Sequence, residues 1–256
     1  MQKRQKIRKA IIIVSFLFFP ITIFYFSPNL VLIGAVDGVA AGSFIMFSIQ
    51  FALSLFLGRA PCSYFCPIAG LHECLAPVAD KRAKGGWRNL VKYCIWAPWV
   101  AAIAFLFVHA GGFREFDFFF HTANGVSLSK PFSYCIYYGV ILLAVAMALI
   151  AGRFAFCHSV CWMAPFMVVG TKLSGWLKLP RLHLEPDRGG CTGCKICSKK
   201  CPMSLDVMQM VEQGDMENAE CTLCGECIDS CPQKAIRYSF RKRGCTDLCS
   251  HKHKSP

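Results

Sequence analysis

Four uncharged apolar runs dominate the first 151 residues: about 10–26 ("AIIIVSFLFFPITIFYF"), 39–57 ("VAAGSFIMFSIQFALSLFL"), 93–112 and 132–151. Each approaches the roughly 20 residues that cross a bilayer as a helix, so the pattern predicts four transmembrane helices. Pro20 and Pro98 fall inside these runs, which membrane helices tolerate because neighbouring groups re-satisfy the freed carbonyls. Two amphipathic stretches follow the second and fourth runs, "IAGLHECLAPVAD" and "WMAPFMVVGTKLSGWLKL". In the latter, Trp162, Lys172, Trp176 and Lys178 are spaced for a helix lying along the membrane interface. A plain connecting helix fits either stretch equally. Beyond Pro180 the long runs stop, and short cysteine-rich segments take over.

Composition agrees with a membrane protein: of 256 residues, 55% are hydrophobic and only 17% charged. The net charge of +13 would suit a nucleic-acid surface, but its placement argues otherwise. Of 28 lysines and arginines, all but Arg114 and Lys130 lie before the first run, in the 58–92 loop or after residue 151. By the positive-inside rule both termini and that loop are cytoplasmic. The charge is therefore a topology signal, the partner is membrane lipid, and no nucleic acid is expected. The first run is followed by "SPNL", with no small-residue cleavage site, and reads as a retained anchor.

The chain has 17 cysteines, and their spacing is that of metal chemistry. "CTGCKICSKKCP" (191–202) and "CTLCGECIDSCP" (221–232) are two copies of C-x2-C-x2-C-x3-C-P. In that motif the fourth cysteine ligates the other cluster. One 4Fe–4S cluster is thus expected on Cys191, Cys194, Cys197 and Cys231, and a second on Cys201, Cys221, Cys224 and Cys227. Structural zinc could use C-x2-C pairs, but it leaves the third cysteine, the x3 interval and the proline unexplained, twice over. Disulfides do not suit the reducing side of the membrane. The insert at 203–220 fits a short helix and turn, and "AIRYSF" (235–240) fits a closing strand.

A second repeat lies in the membrane half. Runs two and four end in Gly58-Arg59 and Gly152-Arg153, followed by the C-x3-C pairs Cys62/Cys66 and Cys157/Cys161. The arginines are expected at headgroup level. On helices, cysteines four apart share a face, and two such pairs form a 2+2 repeat of helix hairpins. Four sulfurs would then meet as a thiolate-rich redox or metal station, iron–sulfur, Cu(I) or zinc by ligand softness. The plainer reading is buried thiols packing as small hydrophobes. His158 is a ligand or an interface hydrogen-bonder. Cys74, Cys94 and Cys135 are single and expected to pack. The tail "CTDLCSHKHK", with Cys245, Cys249, His251 and His253, reads as a solvated segment or a metal scavenger. Asp37 is a carboxylate at a span edge, either a proton site or a helix-end cap. The loop "FREFDFFFH" offers an aromatic tip to a partner or to headgroups.

These elements give an α-helical membrane protein with four transmembrane helices in a 2+2 repeat, followed by a small α+β bacterial-type di-cluster ferredoxin domain. The boundaries are 1–180 (membrane), 181–244 (ferredoxin) and 245–256 (basic Cys/His tail). "GRAPCSYFCP", "GRFAFCHSVC" and the terminal di-cluster module together resemble the NapH-type membrane ferredoxin family, whose core is shared by the NosR, MauN and CcoG membrane proteins. The second pair departs from the family's usual C-x3-C-P, with Trp162 in place of proline. The resemblance implies a multi-pass protein of the cell inner membrane. It would act as the quinol dehydrogenase-type electron-transfer subunit of an oxidoreductase system, moving electrons between quinone and other electron-transfer subunits. An assembly factor or copper reductase of CcoG type and a redox-sensing regulator are the rival functions. No dinucleotide fingerprint, haem attachment motif or catalytic acid–base pair stands out.

Overall fold

A computed structural model describes residues 2–83, 85–128 and 131–241. The tail cysteines and histidines lie outside the described residues. The chain opens with helix α1 (Lys3–Leu17), a short turn α2 (Phe19–Thr22) and a 3-10 turn (Ile23–Phe26). The first apolar run is therefore not one straight helix. It bends by 58° between Leu17 and Phe19, where Pro20 lacks the N–H a continuous helix needs and its ring crowds the preceding turn.

The next segment, expected to be a plain connection, is helical: α3 (Pro28–Asp37). Its signals are local. The Ser27 hydroxyl caps Leu30 N at 3.4 Å, Pro28 takes the first helical position, and Gly38 ends the helix at φ 71°. Asp37 is an exposed residue at the end of this helix, not the edge of a span. The second run divides as well. Val39–Ala41 (β1) pairs in parallel with Glu115–Asp117 (β2), leaving α4 (Gly42–Leu57) with only 16 residues, about 24 Å at 1.5 Å per residue.

Helices α5 (Ala60–Tyr64) and α6 (Pro67–Leu75) follow, then α7 (Arg88–His109) and α8 (Pro131–Ala151). With 22 and 21 residues, α7 and α8 have the length and apolarity to cross a membrane, and the bent first pair makes a third candidate. Four straight spans are not found among the described residues. Helix α7 begins before residue 93, at Arg88, with Lys92 buried in its second turn, and it stops before Gly111 and Gly112, both at positive φ. After α8 come α9 (Ala155–Ser159) and α10 (Met163–Trp176), which packs its Met163, Met167, Gly170 and Ser174 face on α4. Cys94 and Cys135 lie exposed on α7 and α8, and Cys74 is exposed on α6, so none packs in a core.

The remaining unit is a two-stranded antiparallel sheet, β3 (Arg181–Pro186) with β4 (Ile236–Arg241), around α11 (Ile196–Lys200), α12 (Val207–Gln213) and α13 (Glu226–Ser230). It is not a bead on a tether. One hydrophobic core joins Ile12, Ala60, Ala69 and Phe154 of the membrane half to Leu184, Val207, Leu223 and Ile236.

The repeated Gly-Arg step has a backbone cause. Gly58 and Gly152 both sit at positive φ, 56° and 106°, where the chain leaves a long helix and doubles back. A Cβ on Gly152 would also lie 2.5 Å from the Lys81 carbonyl oxygen. Replacing Gly152 by Ala is expected to cost about 1–3 kcal/mol of stability. Gly139→Ala on α8, where a Cβ meets nothing within 4 Å, should change stability by no more than about 0.5 kcal/mol. Thermal unfolding in detergent checks the contrast.

Candidate iron–sulfur centres

The two ferredoxin motifs build the same local device. In each, a residue in the left-handed region, Lys195 at φ 59° or Gly225 at φ 77°, opens a five-residue helix that carries the third cysteine. The fourth cysteine, Cys201 or Cys231, ends that helix in an extended conformation. The following proline enforces this, because its ring disfavours a helical residue before it. The chain turns there, and each fourth cysteine reaches the other motif. Cys191, Cys194, Cys197 and Cys231 line one void with Met208, Val211 and Ile236. Cys201, Cys221, Cys224 and Cys227 line another with Leu184, Met203 and Met216. These are the two crossed sets expected from the spacing.

The donor chemistry fits a cluster better than a single ion. Among the described residues no three Cys, His, Asp or Glu side chains converge on one metal-ion position; the sulfurs surround voids. Burial, the largest influence, pushes Cys201 and Cys221 up to about 11 and Cys224 up to about 12. Free thiolates are thus disfavoured in these walls, and metal binding is the chemistry that would deprotonate them.

The two membrane-half pairs also come together. Cys62, Cys66, Cys157 and Cys161 line one cavity with Ile12, Ala69, Phe154 and Met163. The pairs do not ride on one helical face, as their spacing suggested. Cys62 lies within α5, while Cys66 is extended ahead of Pro67 and caps α6. Cys157 lies within α9, and Cys161 falls in the break before α10. The breaks let both members of each pair face the cavity. Burial and the neighbouring thiols push Cys66 up to about 12 and raise Cys157 and Cys161.

Two arginines line this cavity, and both are buried. Arg8 is 1% exposed. It donates to Glu73 at 2.6 Å, Glu226 at 3.3 Å and Gln5 at 2.7 Å. Arg59, expected at the membrane surface, is 3% exposed. Its Nη1 donates to Ala219 O at 2.6 Å and Glu220 at 3.1 Å, while its Nε has no hydrogen-bond partner among the described residues. Arg59 faces Cys62 and Cys161. Lys92, 0% exposed, donates to the other Glu220 oxygen. Burial alone would raise the Glu220 carboxyl, but Arg59 and Lys92 outweigh it and hold it low. His158 does not enter the cavity wall. Its Nδ1 lies 3.1 Å from Asn89 Oδ1 and its Nε2 3.1 Å from Met203 O, and burial keeps it neutral.

Thus two buried cations share one carboxylate beside four sulfurs. A buried charge requires a partner, and the orphaned Arg59 Nε and the surplus cation both suit an anionic group in the cavity. A thiolate-ligated iron–sulfur cluster is such a group. Three walls therefore fit clusters, two in the ferredoxin unit and one at its junction with the membrane helices.

Sequence reasoning missed Gln5, Arg8, Lys92 and Glu220. Gln5, Arg8 and Ile12 share the buried face of α1, a polar stripe that continues into an apolar one. Lys92 sits at the mouth of an apolar run and read only as a topology marker.

The chain is similar to known families and proteins. Residues 190–236 match the family described as a 4Fe-4S dicluster domain, and 39–84 and 136–180 match the one described as a 4Fe-4S binding domain. The chain carries ferredoxin-type 4Fe–4S domains. YccM of Escherichia coli, named for electron transport, is 24% identical over 231 residues, 82% of this chain and 59% of its own. Uncharacterized protein MJ0749 of Methanocaldococcus jannaschii is 30% identical over 116 residues, 45% of this chain and 41% of its own. A component of an ion-translocating oxidoreductase complex from Methanosarcina acetivorans is 48% identical over 48 residues, 18% of this chain and 17% of its own. The chain thus spans less than two thirds of the length of each of these relatives. No solved structure matches it. The apolar helices α7 and α8, with relatives of this kind, mark a membrane-associated iron–sulfur protein.

Removing Glu220 leaves Arg59 and Lys92 buried without their carboxylate. Glu220→Ala is expected to destabilise the protein by about 3–5 kcal/mol, whereas Glu212→Ala, an exposed residue of the same unit, should cost no more than about 0.5 kcal/mol. Thermal unfolding of the detergent-solubilised protein checks both.

Proposed function

We propose that the protein is a membrane-bound electron carrier with three 4Fe–4S clusters in a row. Cys191, Cys194, Cys197 and Cys231 would hold the first, Cys201, Cys221, Cys224 and Cys227 the second, and Cys62, Cys66, Cys157 and Cys161 the third. The observation that carries the reading is that Cys224 lines both the second ferredoxin void and the membrane-half cavity. Bound there, the clusters supply reversible one-electron chemistry.

The protein's contribution is order and enclosure. Cys194 is exposed, so the first set faces solvent. Cys201, Cys224 and Cys227 are buried, and the third set lies where the membrane helices turn. Such an arrangement suits traffic between a redox partner in solution and one at the membrane. The distribution of Lys and Arg supports a cytoplasmic ferredoxin unit, with both termini on that side. The double match to one 4Fe-4S binding family and the paired Gly-Arg turns support a duplicated origin for the third centre. A cleft of about 210 Å³ lies between Gly58, the Val168–Lys172 stretch of α10 and β3, with Cys221 on its wall. Its apolar side, Val168, Leu182 and Leu223, would admit a quinone from the bilayer edge, in keeping with the NapH-type reading.

Anaerobically purified protein is expected to contain about twelve iron atoms and about twelve acid-labile sulfides per chain. A Cys62→Ser/Cys157→Ser variant should keep about eight of each. About eight in both samples would refute the third centre.

A further inference from the structure

Arg59, Lys92 and Glu220 form a buried group with two positive charges and one negative; it lies beside Cys62 and Cys161 of the membrane-half set and next to Cys221 of the second set, and away from the first. Arg59 lines one cavity with Cys62 and Cys161, and Lys92 reaches it through the shared Glu220 carboxylate. The other cations nearby are balanced or screened. Arg8 and Lys9 share Glu73 and Glu226, two for two. Lys195, Lys199 and Lys200, beside the first set, are exposed, where water and salt weaken their fields.

A positive charge held beside a redox group favours the form with one more electron. It acts most strongly where both are out of water, since the effective dielectric is lower there. The surplus cation at the third set has no carboxylate of its own among the described residues, and the buried Arg59 Nε has no hydrogen-bond partner there. Hydrogen bonds and net charge around the sulfurs are among the levers that set a cluster's potential. Nothing equivalent lies beside the first set among the described residues.

We propose that Arg59, supported by Lys92 and restrained by Glu220, is the tuning residue that gives the Cys62/Cys66/Cys157/Cys161 centre the highest reduction potential of the three. The proposal rests on the three-cluster reading. Electrons arriving from either side would then collect at the membrane face of the protein. In this role Arg59 acts through its charge and its Nε donor, not by ligating metal.

The test is EPR-monitored redox titration of the full-length protein in detergent, with iron and sulfide counted on every sample. In the wild type the centre lost in Cys62→Ser/Cys157→Ser should be the first reduced as the potential falls. Arg59→Gln should lower its midpoint by an amount equivalent to at least a tenfold change in the reduction equilibrium, about 59 mV for one electron. The solvent-facing centre should not move. Lys92→Met should shift the same midpoint downward and Glu220→Gln upward, and this pair decides the matter should Arg59→Gln fail to assemble. A purely structural role would not produce shifts of opposite sign. A third centre present by iron count, with a midpoint unmoved by these variants or below the other two, overturns the tuning role alone. Iron for two clusters in the wild type overturns the three-cluster reading and the proposal with it.

Discussion

The Glu220 carboxylate is gripped from two sides, by Arg59 at the end of one apolar helix and by Lys92 in the second turn of another. All three side chains are almost fully withdrawn from water. Charges in that setting are strongly destabilising unless geometry matches them, so the contact tolerates little sliding. Because Glu220 immediately precedes Cys221, the same contact fixes where the second cysteine set sits against the membrane half. Around it the Ser63 hydroxyl donates to Thr222 O at 2.9 Å and the Gln5 amide donates to Cys224 O at 3.1 Å. The ferredoxin unit is thereby a built-in part of the membrane domain, and the cavity of the third set closes against its Cys224 wall.

The two segments that carry Gly-Arg ahead of a C-x3-C pair are used differently. Both glycines make the same positive-φ turn, and both arginines touch the ferredoxin unit. Arg59 reaches the loop before Cys221, while Arg153 donates to Lys199 O at 3.3 Å and pairs with Asp80 at 3.2 Å near the surface. Only the first arginine carries an electrostatic load in a dry environment. Pro67 behind Cys66 sets an extended turn, and where proline is missing, Trp162 anchors the second turn through an Nε1 hydrogen bond to Phe26 O at 3.0 Å.

Cysteine spacing made the ferredoxin sets legible, because an interval of two or three residues constrains local geometry strongly. The closing strand β4 and the length of α7 and α8 were legible for a similar reason, pattern and element coinciding, whereas its partner β3 was not expected. The broken first run and the short α4 were not. Apolar composition counts residues but does not register a 58° bend at Leu17–Phe19 or a strand at Val39–Ala41 that pairs with a segment 76 residues away. Helix α3 could have been found from its Ser-Pro start and Gly stop. The Arg59–Glu220–Lys92 group could not, because partners so distant in sequence leave no local signature, and each charge alone resembles a topology marker.

The central claim is that a rigid dock holds the membrane-half sulfurs beside the second ferredoxin set. EPR of fully reduced, anaerobically purified protein tests it most directly, since paramagnetic centres that are neighbours broaden and split one another's spectra. The account requires a spin-coupled spectrum that simplifies to that of a two-cluster ferredoxin in Cys62→Ser/Cys157→Ser. A wild-type spectrum already identical to the variant's would contradict it.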